Sequence, residues 1–235
     1  MKPVSRVFPT SLALIIASAL CASAQWNKKP FSEWSEKEAL KVLNDSPWGQ
    51  TQNVTDTSQM TGQARASSSQ SRVAEVFNVN IRIRFLSSKP IRQAISHLME
   101  IKNRENISPQ MAAQLKAFAA ADFPDYIVIT VLTESDKASA LLQQTQASFY
   151  KFTTNELKNN TYLQAGGQRV FIKEYQPPGK DGLGARYIFP RLVDGKPFVT
   201  AETSDVLFSS EPDGATALKM RYKIKDMMFD GKLEI

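Results

Sequence analysis

Phe77-Asn78-Val79-Asn80-Ile81-Arg82-Ile83-Arg84-Phe85 alternates apolar and polar side chains without a break. Successive side chains of a strand point to opposite faces, so this stretch predicts a strand with one buried and one wetted face. Downstream, Tyr126-Ile127-Val128-Ile129-Thr130-Val131-Leu132 is almost wholly apolar and β-branched. A strand of that kind is covered on both faces and belongs in the middle of its sheet. Two helices are expected between the pair. Pro90 opens the first, with Ile91, Ala94, Ile95 and Leu98 on one face up to about Arg104. Ser108-Pro109 opens the second, with Met111, Leu115, Phe118 and Ala119 as its stripe. A third helix is expected from about Asp136 to Tyr150. From Thr161 onward the chain reads as β, punctuated by Gly166-Gly167, Asp194-Gly195, Pro212-Asp213-Gly214 and Asp230-Gly231. A βααβα segment followed by an antiparallel β-meander places residues 73–235 in the α+β class as one globular domain.

Upstream, Ser35 and Glu38 have capping-box spacing, and Ala39, Val42 and Leu43 share a helical face that Pro47 ends. Residues 25–49 therefore read as an N-terminal helix, with Trp34 and Trp48 adding apolar surface. So short a helix is marginal alone and must dock, through Trp34, Val42, Leu43 and Trp48, on its own domain or on a partner. Residues 50–72 follow, and 15 of these 23 residues are Ser, Thr, Gln or Asn. Too little apolar area is present to offset ordering entropy, so a flexible linker is expected.

Residues 1–24 carry the pattern of a signal peptide. Lys2 and Arg6 precede the apolar run Leu12–Leu20, and Ala22-Ser23-Ala24 offers a small-x-small cleavage site. The run is far shorter than the ~20 residues needed to cross a bilayer, so no transmembrane anchor is expected after cleavage. The single cysteine, Cys21, leaves with the peptide. A cysteine-free exported chain of 211 residues points to the bacterial periplasm or cell exterior. The full chain holds 29 basic and 23 acidic residues, a net charge of +6. That mild excess suits weak attraction to an anionic envelope polymer and does not argue for nucleic acid.

Without a thiol, cysteine nucleophiles and zinc–thiolate sites are out of reach. His97 is the only histidine and borders the apolar stripe of its helix, so it reads as packing rather than catalysis. No hydrolase elbow, zinc-protease, P-loop or EF-hand motif occurs, and no metal or cofactor is expected. Six carboxylates, Asp122, Asp125, Asp181, Asp194, Glu202 and Asp205, fall in predicted loops, where turn or cap roles are available. The loop Pro177–Gly184 is glycine-rich and could cradle an anion, or serve simply as a hairpin loop. Two strand faces are basic: Arg82 and Arg84 on one, and Lys219, Arg221 and Lys223 on another. As neighbours they would form one cationic surface for an anionic polymer or partner.

Two further segments are distinctive. Trp34-Ser35-Glu36-Lys37-Glu38-Ala39 runs into Asp45-Ser46-Pro47-Trp48, and Lys225-Asp226-Met227-Met228-Phe229-Asp230-Gly231-Lys232-Leu233-Glu234 lies near the other end. Together with the signal peptide they resemble a family of secreted acidobacterial-type proteins for which no activity is known. The resemblance implies bacterial export and carries no catalytic residue. The expected function is thus an exported, non-enzymatic envelope protein acting as a binding or assembly module, its partner an envelope protein or an anionic polysaccharide. The alternative is a polysaccharide hydrolase using a carboxylate pair.

Overall fold

The computed structural model describes residues 29–56, 77–135, 137–211 and 217–235. The expected signal peptide with Cys21, residues 57–72 of the expected linker and the expected Pro212-Asp213-Gly214 turn lie outside them. Within them the chain is α+β.

The alternating stretch forms β2 (Phe77–Phe85), and the apolar stretch forms β3 (Tyr126–Glu134). β3 is central, as its sequence requires: the first sheet runs β1 (Gly49–Asp56), β2, β3, β7 (Ala185–Pro190), β6 (Glu174–Gln176), with every neighbouring pair antiparallel. A second antiparallel sheet runs β11 (Leu218–Lys223), β10 (Asp205–Ser210), β4 (Thr161–Ala165), β5 (Gln168–Phe171). Two short hairpins complete the strands, β8 (Leu192–Val193) with β9 (Lys196–Pro197), and β12 (Met228–Phe229) with β13 (Lys232–Leu233).

Aromatic rings join the two sheets. Phe85 of β2 meets Tyr222 of β11 edge to face at 4.7 Å, and Tyr187 and Phe189 of β7 meet Phe208 of β10 at 5.3 and 6.2 Å. The Tyr222 hydroxyl donates to the Ile83 carbonyl at 3.0 Å. Its complete burial holds the phenol well above its ordinary pKa. The meander is therefore shared between sheets. The expected strand over Arg169–Tyr175 breaks after Phe171, so that β5 stays in the second sheet and β6 joins the first.

Helices follow their caps. α1 (Glu36–Asn44) starts at Ser35 with a full capping box to Glu38. α2 (Lys89–Lys102) has Pro90 in its first turn, and α3 (Pro109–Ala120) starts at Ser108. α4 (Ala140–Lys151) starts at Ser139, and a single turn, α5 (Thr154–Leu157), follows from Thr153. α2 packs against both α1 and α3, and α1 also touches β1 and β2.

Two expectations are resolved here, the first of them as a correction. Residues 50–56 are not linker but most of strand β1, paired residue for residue with β2 from Gly49↔Arg84 to Asp56↔Phe77. A polar strand is stable here because β2 offers a complete ladder. Gln52 adds a second anchor, donating from Nε2 to the Ala217 carbonyl at 2.8 Å and accepting from the Lys219 amide at 3.2 Å. The second concerns docking, expected on this domain or on a partner, and the domain takes it. Trp34, Val42, Leu43 and Trp48 are all buried in this chain's own core. The Trp48 indole donates to the Glu234 carbonyl at 2.7 Å and its ring meets Phe229 at 6.0 Å. The N-terminal helix thus packs its apolar face into the domain and leaves Glu36, Lys37, Leu40 and Lys41 exposed.

Candidate functional site

The two basic strand faces do not merge. β2 belongs to the first sheet and β11 to the second, and the two meet through their inner faces, where Phe85 touches Tyr222. On β2, Ile83 and Phe85 point toward the second sheet, so Arg82 and Arg84 point away from it. Arg84 is 6% exposed. It caps the end of α1, donating from Nε to the Leu43 carbonyl at 3.1 Å and from Nη2 to Asn44 Oδ1 at 2.7 Å. Burial pushes its guanidinium down to about 10, still charged at neutral pH. Arg82 donates to Glu134 at 3.1 Å and to the Thr51 hydroxyl at 2.6 Å. Both arginines therefore brace the fold, and the expected five-residue cationic surface is replaced by its β11 half.

That half has company the sequence did not advertise. Register across the second sheet aligns Lys219 with Ser209, Tyr162 and Phe171, and Arg221 with Leu207, Gln164 and Arg169. Alternation turns these side chains away from the inter-sheet core, onto the opposite face, where Ser209 stays buried and the others are half-buried or exposed. Lys219, Arg221, Lys223, Arg169 and Phe171 are exposed, and Tyr162 is half-buried. The Arg169 guanidinium lies 4.2 Å from the Tyr162 ring centre and donates to Gln164 Oε1 at 3.0 Å, while Tyr162 and Phe171 pack at 5.9 Å. Lys219 pairs with Glu211 at 2.5 Å, Arg221 pairs with Asp205, and Lys223 makes no ion pair among the described residues. The result is a sheet face with an aromatic–guanidinium cluster at one side and a basic strand at the other. Sequence could have suggested the cluster only by pairing Tyr162 with Phe171 across the Gly166-Gly167 turn.

The loop carboxylates are dispersed. Asp181 receives the Leu183 amide at 3.0 Å and pairs with Arg186. Burial works to raise its pKa, but those donors outweigh it and hold it low. It thereby supplies the glycine-rich loop with an anion of its own. Asp205 is taken by Arg221. Asp194 holds a tight turn at φ 50°. Glu202 is held low, chiefly by the Thr200 side chain. Asp125 accepts the Arg191 amide through its carbonyl at 2.9 Å. Asp122 lines a cavity with Glu234, Arg92 and Arg191. His97 is buried, and its Nε2 donates to the Trp34 carbonyl at 2.6 Å, a packing role.

Among the described residues, no group of three His, Cys, Asp or Glu could hold a metal ion, and no helix is long and apolar enough to cross a membrane. The chain matches no family model, no curated protein and no solved structure.

Proposed function

We propose that this chain is an exported, non-enzymatic binding module of the bacterial envelope, and that it takes an anionic polysaccharide on the outer face of the second sheet. The observation that carries this reading is the register that puts Tyr162, Phe171 and Arg169 on one open face with Lys219, Arg221 and Lys223. A sugar ring presents an apolar C–H face that lies flat on an aromatic side chain, while its carboxylates seek guanidinium and ammonium groups. Cluster and basic strand lie on opposite edges of a four-stranded sheet, a span that suits an extended polymer better than a compact ligand. The signal-peptide pattern of residues 1–24 and the resemblance to secreted acidobacterial-type proteins support export.

Affinity electrophoresis of the full chain through gels containing polygalacturonate or neutral dextran tests the reading. Retardation by polygalacturonate alone, weakening as salt rises, is expected. Tyr162→Ala with Phe171→Ala, and Arg221→Ala with Lys223→Ala, should each weaken binding by about 10-fold, the loss of one or two well-placed contacts. Equal mobility in both gels, or pair variants that bind as wild type, would overturn it.

A further inference from the structure

One cation of the second sheet's outer face is already set to receive a planar anion. Resting on the binding face proposed above, we infer that its ligand is a polyuronate. Arg169 grips the carboxylate of one ring through its two terminal nitrogens, and the polymer crosses the strands of the sheet toward Lys223.

Arg169 stands on the edge strand β5, and its side chain is exposed. Its guanidinium lies 4.2 Å from the Tyr162 ring centre, and its Nε donates to Gln164 Oε1 at 3.0 Å. The ring fixes the plane of the fork and the amide fixes one of its edges. Phe171 braces Tyr162 in turn, ring to ring at 5.9 Å. The terminal nitrogens of Arg169 make no hydrogen bond and no ion pair among the described residues. Its three neighbours, Tyr162, Gln164 and Phe171, bring no negative charge. A guanidinium oriented in this way has already given up much of its freedom. Its open side matches a carboxylate with two parallel N–H···O bonds, and that carboxylate can reach it from solvent.

The other cations of this face stand at its far edge. Lys219 is paired with Glu211 and Arg221 with Asp205, so among the described residues Lys223 is the cation of β11 left without a counter-charge. Register sets Arg169 level with Gln164, Leu207 and Arg221, and Lys223 one outward-facing position further along. From β5 to β11 is three inter-strand spacings, so Arg169 and Lys223 are rooted about 16 Å apart. Gln164 and Leu207, both half-buried, floor the way between with an amide and an apolar side chain. A single uronate ring cannot engage both cations. A run of several rings can, because each carries its own carboxylate. The second contact is then intramolecular, and affinity must climb with chain length. A polymer lying along the strands would meet one edge only.

The test is calorimetric titration of the full chain with galacturonate, digalacturonate and hexagalacturonate, run beside the polygalacturonate gels. Hexagalacturonate should bind about 10-fold or more tightly than digalacturonate, and the monomer more weakly still. Arg169→Lys keeps the charge and loses the fork, and should weaken hexagalacturonate binding by about 10-fold. Lys223→Gln should narrow the gap between hexamer and dimer. Tyr162→Phe keeps the ring under Arg169 and should bind as wild type, whereas Tyr162→Ala should not. Arg169 and Lys223 are both exposed, so the circular dichroism of their variants should be that of wild type. Digalacturonate binding as tightly as hexagalacturonate, or undiminished binding by Arg169→Lys, overturns the inference, while retardation by polygalacturonate leaves the binding face standing. Absence of that retardation in the wild-type protein removes both.

Discussion

Leu43→Ala asks whether the N-terminal helix is a detachable module or part of the core. Leu43 is 5% exposed and packs in the same cluster as Trp34, Val42 and Trp48. The substitution removes three carbons. At about 0.8 kcal/mol for each, transfer accounts for about 2.4 kcal/mol, and the residual cavity brings the cost to about 3 kcal/mol. With a urea slope of about 2 kcal/mol per molar, the unfolding midpoint should fall by about 1.5 M. Far-UV circular dichroism and tryptophan fluorescence should report the same shifted transition. Leu40→Ala, on the same helix at a site 38% exposed, is the control and should cost under about 1 kcal/mol. An unchanged global midpoint for Leu43→Ala, or a separate early fluorescence transition with the sheets intact, would refute the assignment of α1 to the core.

Two glycines of one loop should behave differently. Gly184 has φ +85°, and an added Cβ would sit 2.3 Å from the Val131 carbonyl oxygen, so Gly184→Ala should destabilise by about 4 kcal/mol or more in urea titrations. Gly182 has φ +72° but open space around it, so Gly182→Ala should cost only about 1–2 kcal/mol, the left-handed backbone penalty. Glu38 predicts an acid limb. The Lys29 ammonium, then the Ser35 amide and hydroxyl, hold its carboxyl at about 2 in the folded protein against an ordinary 4.5. A depressed acid stabilises above the unfolded value and loses that contribution as pH falls toward 2. Melting temperatures from pH 5 to 2 should therefore fall less steeply in Glu38→Gln than in wild type. Parallel curves would remove Glu38 from the acid response.

Strong periodicity and strong caps were legible. The alternation of Phe77–Phe85 and the apolar run into Leu132 correctly place an alternating strand beside a central one, although the first strand's polar face is largely covered where wetting was expected. Ser35, Ser108 and the Asp230-Gly231 turn stand where their chemistry puts them. What failed was inference from composition alone. Gln50–Asp56 has almost no apolar content, yet it is a strand because its partner is, and pairing is a property of two segments. Arg82 and Arg84 look alike from the chain, two residues apart on one face. Only the end of α1, arriving with two unsatisfied acceptors, makes Arg84 internal. The aromatic–guanidinium cluster went unread for a more local reason, since it depends on the exact register across the Gly166-Gly167 turn.

The grip of Trp48 on Glu234 ties together positions separated by 186 residues. A domain closed by such a clasp cannot finish while its distal segment is still on the ribosome. Glu234 also accepts the first amide of α2, so that helix too waits for late-arriving sequence. Contacts of such high sequence separation close a long loop, so the chain meets that entropic cost before either bond forms, and the clasp is a late event in folding.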